Sequence, residues 1–342
     1  MMMMMMMMTT TMMIHLRMGV EPGPGGAAVG GRGGQGMGGF GAVVDGCRRA
    51  GTAGGLNVVA FSGGVDSSLA ALAVREAFGR AGARACLARS ASLALSQHAL
   101  ARLVAAHIGV ELWEVETREG RVPGYVANDG EACFHCKTEL YGRLQAVAEE
   151  AQARAARGAG AGLVGGSGGA GGVTLFNGTN ADDLADPTRL GLVAAGDFGV
   201  ASPLARLTKA EVREMAREQG LPNWDAAANP CLRSRLQLGV AATPEHLAAV
   251  EAAEDVFREG LALGAHQDLR VRLLEGGEGV VEVEPALVGA AQALLRRPDV
   301  SDALARAGFS PGLRARPFRS GALSRGGPGD PAAPFPGAPP AP

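Results

Sequence analysis

From about residue 43 onward, short apolar runs alternate with stretches of helical period, a pattern that predicts an α/β protein on a parallel sheet. Asn57–Phe61 (NVVAF) is a largely apolar run of the kind buried on both faces. A glycine turn follows at Ser62–Asp66, and Leu69, Leu72, Ala73 and Ala77 recur at helical spacing over Ser67–Phe78. Arg84–Ala88 and Glu111–Glu116 read as the next strands, with a helix over 94–108 between them. A helix over Lys137–Ala156 and a strand at Val173–Phe176 continue the series. Thr208, with Glu211 three residues on, has capping-box spacing and starts a helix that runs to Gln219.

The texture changes after Gly239. Thr243 caps a predicted amphipathic helix over 245–262, strands at Leu269–Leu274 and Val280–Val283 flank the turn Glu275–Gly279, and a last helix covers 286–307. This is the pattern of a smaller α+β unit. The expected organisation is a low-complexity leader over 1–44, an α/β domain over 45–240, an α+β domain over 241–325 for substrate binding or oligomerisation, and a Pro/Gly tail over 326–342.

Composition sharpens those boundaries. The chain has 53 Gly and 19 Pro, concentrated in 19–55, an insert at 158–172 and 326–342, and no Gly-X-Y period makes it collagen-like. With 47% hydrophobic and 19% charged residues, the remainder is a folding chain. A net charge of −2 provides no broad attraction for a polyanion, so nucleic acid is not the expected main partner. No apolar run reaches the roughly 18 residues that a spanning helix needs. The five cysteines suit a reducing compartment that keeps thiols for metal or chemistry, and cytoplasm is the expected location. The leader opens with eight methionines; Arg17 and Arg32 with a single acid, Glu21, leave organelle import as an alternative.

Two sets of residues carry candidate chemistry. Ser62, Gly63, Gly64, Val65, Asp66, Ser67 and Ser68 lie between a buried strand and a helix. Two glycines allow close backbone approach, and the helix N-terminus with two hydroxyls favours a phosphate. The G-x-x-x-x-G-K-[ST] loop is absent. The second set is Cys133-Phe134-His135-Cys136 together with Cys231, which has Arg233 and Arg235 close by, a setting that favours thiolate. Three thiolates fit an iron–sulfur cluster with one open iron, or zinc with His135 or water as fourth ligand. Cys47, in the linker before the first strand, and Cys86, inside the second, read as packing or surface thiols.

The string S-G-G-V-D-S resembles the PP-loop of the ATP pyrophosphatases. The stretches AFSGGVDSSL (60–69), ACFHCKTELYGRL (132–144), FNGTNADDLADPTRLGLVAAGDFGVASPL (176–204), LTKAEVREMAREQGLPNWD (207–225), PCLRSRLQLG (230–239), LRVRLLEGG (269–277) and FRSGALS (318–324) narrow it. Together they resemble the LarE family, ATP-dependent sulfur transferases of nickel-pincer nucleotide synthesis. The resemblance implies a PP-loop α/β fold and a homo-oligomer. It also implies adenylation of a carboxylate of a pyridinium dicarboxylate mononucleotide by ATP with Mg²⁺, then conversion to a thiocarboxylate. Ser62–Ser68 and Ser90 would bind ATP and pyrophosphate, while Asp66, Asp182 and Asp183 would contact Mg²⁺ or the nucleotide. Arg235, Arg270, Arg272 and Arg319 would hold substrate phosphate. Sulfur would come from Cys231 itself, the catalytic residue, or through a [4Fe–4S] cluster on Cys133, Cys136 and Cys231. Within the superfamily, a tRNA thiolase and an amidotransferase of the NAD- or GMP-synthetase type are the alternatives. The sequence departs from the family at Ala88–Ser96, where Arg89 stands in place of the usual Asp and the basic pair after it is missing.

Overall fold

A computed structural model describes residues 39–158, 172–186, 189–264 and 266–319. Most of the low-complexity leader, the glycine-rich insert and the Pro/Gly tail lie outside the described residues. In chain order the elements are α1 (Phe40–Ala50), β1 (Leu56–Ala60), α2 (Val65–Gly82), β2 (Ala83–Arg89), α3 (Leu95–Ile108), β3 (Glu111–Glu116), α4 (Pro123–Ala127) and α5 (Ala132–Gly158). They continue with β4 (Val173–Phe176), α6 (Ala181–Ala185), α7 (Gly191–Asp197), α8 (Lys209–Glu218), α9 (Pro244–Gly260), β5 (Leu269–Leu273), β6 (Gly279–Val283), α10 (Val288–Leu295), α11 (Pro298–Ala307) and β7 (Arg314–Pro317).

The first sheet is parallel with order β3-β2-β1-β4. Alternation along its strands divides two cores. Val59, Ala85, Leu87 and Phe176 pack with side chains of α1, α2, α3 and α8. Val58, Cys86, Val115 and Leu175 pack with Leu140, Tyr141 and Leu144 of α5 and Ala194 and Ala195 of α7. Helices therefore cover both faces, as the apolar strand runs predict. The chain leaves β1 toward β2 and β3, then returns to the other side of β1 as β4. That reversal makes the carboxyl ends of β1 and β4 the switch point of the sheet, the place where open α/β sheets bind ligands.

A second sheet pairs β5 and β6 antiparallel and β6 and β7 parallel. Its core of Val271, Val281 and Val283 packs on Leu247, Val250 and Phe257 of α9 and on Leu294 and Leu304 of α10 and α11.

Four local differences from the sequence reading matter. Helix α1 already covers Phe40–Ala50 and buries Val43, Val44 and Cys47, so Cys47 is a core thiol on a helix. Helix α5 starts at Ala132, which places Cys133 and Cys136 in its first two turns. The last helix is two helices, because Pro298 lacks the N–H a continuous helix would need and starts α11 instead. Strand β7 (RARP) has no apolar pattern and is held by pairing with β6. Among the described residues no helix is long and apolar enough to cross a membrane.

Candidate functional site

The nucleotide loop leaves β1 and turns into α2 within a few residues. Gly63 has φ +74°, and a Cβ there would lie 2.6 Å from the Ala101 Cα, so both conformation and space demand glycine. Ser67 Oγ accepts from the Ser62 N–H (3.2 Å) and donates to the Gly64 carbonyl (3.0 Å), as Ser68 Oγ also does (2.9 Å). Asn223 Nδ2 donates to the Gly63 carbonyl (2.7 Å) and Ser68 Oγ (3.0 Å), and Gln97 Nε2 donates to the Ser62 carbonyl (2.7 Å). The loop is held from two sides, with the start of α2 as its anion-favouring end.

Just after β4, Gly178 lies against this turn: a Cβ there would meet the Asp66 carbonyl carbon and the Ser67 nitrogen, each at 2.6 Å. Asn180 Nδ2 donates to Asp66 Oδ1 (3.2 Å), and Lys209 at the start of α8 forms an ion pair with Asp66 Oδ2. The carboxylate expected to face Mg²⁺ therefore already has an ammonium partner. Asp183 completes a capping box with Asn180 and pairs with Arg189 (2.8 Å), and Asp182 accepts from the Lys209 N–H (2.9 Å). Both acids hold backbone beside the loop. Ser90 bonds Ser92 (2.9 Å) at the end of β2.

The sulfur side is assembled from three separated segments: Asn128 just after α4, the start of α5 and the turn at Cys231. Cys133 is exposed and Cys136 half-buried in the first two turns of α5, and exposed Cys231 caps the short 3₁₀ turn Leu232–Arg235. Arg233 bridges two of these segments: Nη2 donates to Cys133 Sγ (2.8 Å) and Nη1 to Asn128 Oδ1 (3.1 Å). Burial pushes the Cys136 thiol up to about 12, and the nearby Cys231 sulfur adds to this. Burial raises the Tyr125 hydroxyl in the same way, again with Cys231 contributing. Burial opposes the charge of Arg233, but the Cys231 and Cys133 sulfurs more than offset it; for Lys137 the same offset comes from Tyr141 and all three thiols. Three thiols and two cations thus share one neighbourhood. Among the described residues, no three His, Cys, Asp or Glu side chains stand in a ready ligand geometry.

Three of the four arginines expected at substrate phosphate are buried and have partners within the chain. Arg235 is 1% exposed and directs its guanidinium to Glu254 (2.8 and 3.2 Å), Asn229 Oδ1 (2.6 Å), Ser234 Oγ and the carbonyls of Pro230 and Cys231. All five of its N–H groups have partners, so it tethers the cysteine loop to α9. Arg272 bonds Glu282 (2.8 Å) and the Ser234 carbonyl (2.8 Å), and Glu282 in turn holds Arg316. Arg270 bonds the Leu269 and Ala228 carbonyls and stacks on Phe318, its centre 5.4 Å from the ring. Burial, with Arg235 next, lowers Arg270 to about 10. Arg319 is exposed just beyond Phe318. The three buried arginines form the wall behind the Cys231 loop.

Several partners carry no sequence signature. Gln97, Asn180, Asn223 and Asn229 are amides whose role depends on what faces them. Lys209 has one weak signal, its place directly after the Thr208 cap. Glu119 is 2% exposed and accepts from Ser92 Oγ (3.3 Å), while its other carboxylate oxygen and the buried Tyr125 hydroxyl lack hydrogen-bond partners among the described residues.

These features define a class: an α/β protein of PP-loop type, with a phosphate-suited loop at the sheet's switch point and a second, smaller mixed sheet. No family model matches the chain. It is 37% identical over 217 residues to the uncharacterized protein slr1717 of Synechocystis, covering 63% of this chain and 72% of that one, and belongs to the family of that protein. It is also 27% identical over 208 residues to the pyridinium-3,5-bisthiocarboxylic acid mononucleotide synthase of Lactiplantibacillus plantarum, covering 58% of this chain and 66% of the synthase.

Proposed function

We propose that this chain is an ATP-dependent sulfurtransferase of the LarE type. It adenylates a carboxylate of a pyridinium dicarboxylate mononucleotide and converts it to a thiocarboxylate. The observation that carries this reading is the exposed Cys231, placed by Arg235 on a loop hydrogen-bonded through Asn229 and Gln97 to the nucleotide loop. The substrate class follows from the name of the synthase relative.

Carboxylate carbon is a poor electrophile until its oxygen becomes a good leaving group. A carboxylate oxygen attacks the α-phosphorus of ATP, the bond to the β-phosphate bridge breaks, and pyrophosphate leaves into the Ser62–Ser68 turn. Mg²⁺ offsets phosphate charge when bound. Cys231 Sγ then attacks the acyl carbon and AMP departs with the C–O electron pair. Loss of the Cys231 Cα proton to a base, with cleavage of Cβ–Sγ, leaves the thiocarboxylate and dehydroalanine. A [4Fe–4S] cluster held by Cys133, Cys136 and Cys231 would instead supply sulfur that is not the cysteine's own. Arg233 and Lys137 provide the positive charge either form of the sulfur requires.

The test is pyrophosphate release and thiocarboxylate formation with this substrate, alongside Cys231→Ala. The variant is expected to keep pyrophosphate release and to lose at least about a thousandfold in thiocarboxylate formation. A product formed equally well by the variant overturns the role of Cys231. Loss of one H₂S from Cys231 after turnover identifies the cysteine as donor; about four iron and four sulfide per chain after anaerobic purification identify the cluster.

A further inference from the structure

The nucleotide loop and Cys231 lie far apart in the chain, yet a continuous side-chain path joins them. Gln97 on α3, almost fully buried, donates from Nε2 to the Ser62 carbonyl (2.7 Å), and its Oε1 accepts from Asn229 Nδ2 (3.2 Å). Asn229 Oδ1 accepts from Arg235 Nη2 (2.6 Å), and Arg235 Nη1 donates to the carbonyls of Pro230 and Cys231 (3.3 Å to the latter). Three side chains thus connect the backbone of the phosphate turn to the backbone of the cysteine.

The chemistry of the path is selective. Each amide must donate on one side and accept on the other, which neither a carboxylate nor an alkyl side chain can do. Ser92 supports the same loop independently, its carbonyl accepting from the Leu232 N–H (2.9 Å). Cutting the amide path therefore leaves the loop attached while removing its link to the phosphate turn.

We propose that Gln97 and Asn229 are positioning residues that set Cys231 in register with the nucleotide loop, so that the sulfur meets the activated carboxylate. This rests on the reading that an acyl-adenylate formed at the loop receives sulfur at Cys231. Neither residue touches the reacting atoms; they act through Ser62 and Arg235. A displacement of about 1 Å at such a junction costs on the order of a hundredfold in rate.

The experiment uses the full chain with Gln97→Ala, Asn229→Ala, the double variant, and Gln97→Glu, which keeps size but removes the donor to Ser62. Pyrophosphate release and thiocarboxylate formation are measured on the same samples. The ratio of thiocarboxylate to pyrophosphate is expected to fall at least about tenfold in each single variant. The double variant should fall no further than the weaker single, because both cut one path. In a second arm, iodoacetamide labels Cys231 with and without MgATP, read by mass spectrometry of its peptide. MgATP should change the native labelling rate by at least about threefold and leave the variants unaffected. An unchanged ratio, independent losses that add, labelling in the native chain that ignores MgATP, or a response that survives in the variants overturns the proposal. If the native chain releases no pyrophosphate, the functional reading fails by itself, and the labelling arm alone decides the coupling.

Discussion

Within Ser62–Ser68, three serine hydroxyls, two backbone N–H groups and the Gly64 carbonyl bond one another over seven consecutive residues. Cys231 is placed by Ser92 from the end of β2, Arg235 from its own turn and Glu254 from α9. A loop of the first kind makes most of its bonds within its own turn, with Asn223 and Gln97 steadying it from outside. A site of the second kind depends on a buried ion pair and on the fit of two sheets, so distant substitutions reach it.

The largest expected contrast lies among the thiols. Burial pushes Cys47 and Cys86 up to about 12 from the ordinary 9.0, whereas Cys133 and Cys231 are exposed. At pH 8 a three-unit rise lowers the thiolate fraction about a thousandfold, so Cys133 and Cys231 should label long before the core pair. Early labelling of Cys47 would break the division between sulfur pocket and core. Because the folded-state values are raised, the stability these two thiols contribute is present below pH 9 and lost as pH rises toward 12. Each lowers the unfolding free energy by up to about 1.4 kcal/mol per pH unit in that window, read by urea unfolding between pH 8 and 10.

Arg235→Ala comes next. It leaves Glu254 buried without its guanidinium, at a cost of about 3–5 kcal/mol, measurable as a lower urea midpoint. A loss under about 1 kcal/mol would show that the sulfur loop does not depend on this pair. Gly63→Ala tests the opposite region: positive φ and the contact with Ala101 predict a loss of about 1–3 kcal/mol in stability, and weaker ATP binding by calorimetry. The smallest effect is expected for Thr208→Ala, which removes a capping hydroxyl beside Lys209 at a cost of about 1 kcal/mol in thermal unfolding.

What could be read in advance follows the same division. The first sheet's strands, the Thr208 capping box and the phosphate turn depend on period and on contiguous residues, and each lies within a residue or two of where the pattern places it. Helix α5 starts five residues ahead of the predicted Lys137, because Glu131, and no Ser, Thr, Asp or Asn, stands directly before Ala132 to mark the boundary. Strand β7 carries no sequence signal, because edge pairing requires no apolar pattern. Arg235, Arg270 and Arg272 point to anion binding when read as residue types. In the fold, Glu254, Glu282 and backbone carbonyls already engage them.

By itself, then, the sequence determined the alternating α/β architecture, the glycine pair of the turn after the first strand, and the presence of three thiols with arginines nearby. Those properties belong to single residues or to short windows. The tertiary structure decided which polar groups face each other: Lys209 against Asp66, Gln97 between Ser62 and Asn229, and Arg235 behind Cys231. An amide or a guanidinium has no fixed partner until packing brings a donor and an acceptor within about 3 Å, and packing is a property of the whole chain.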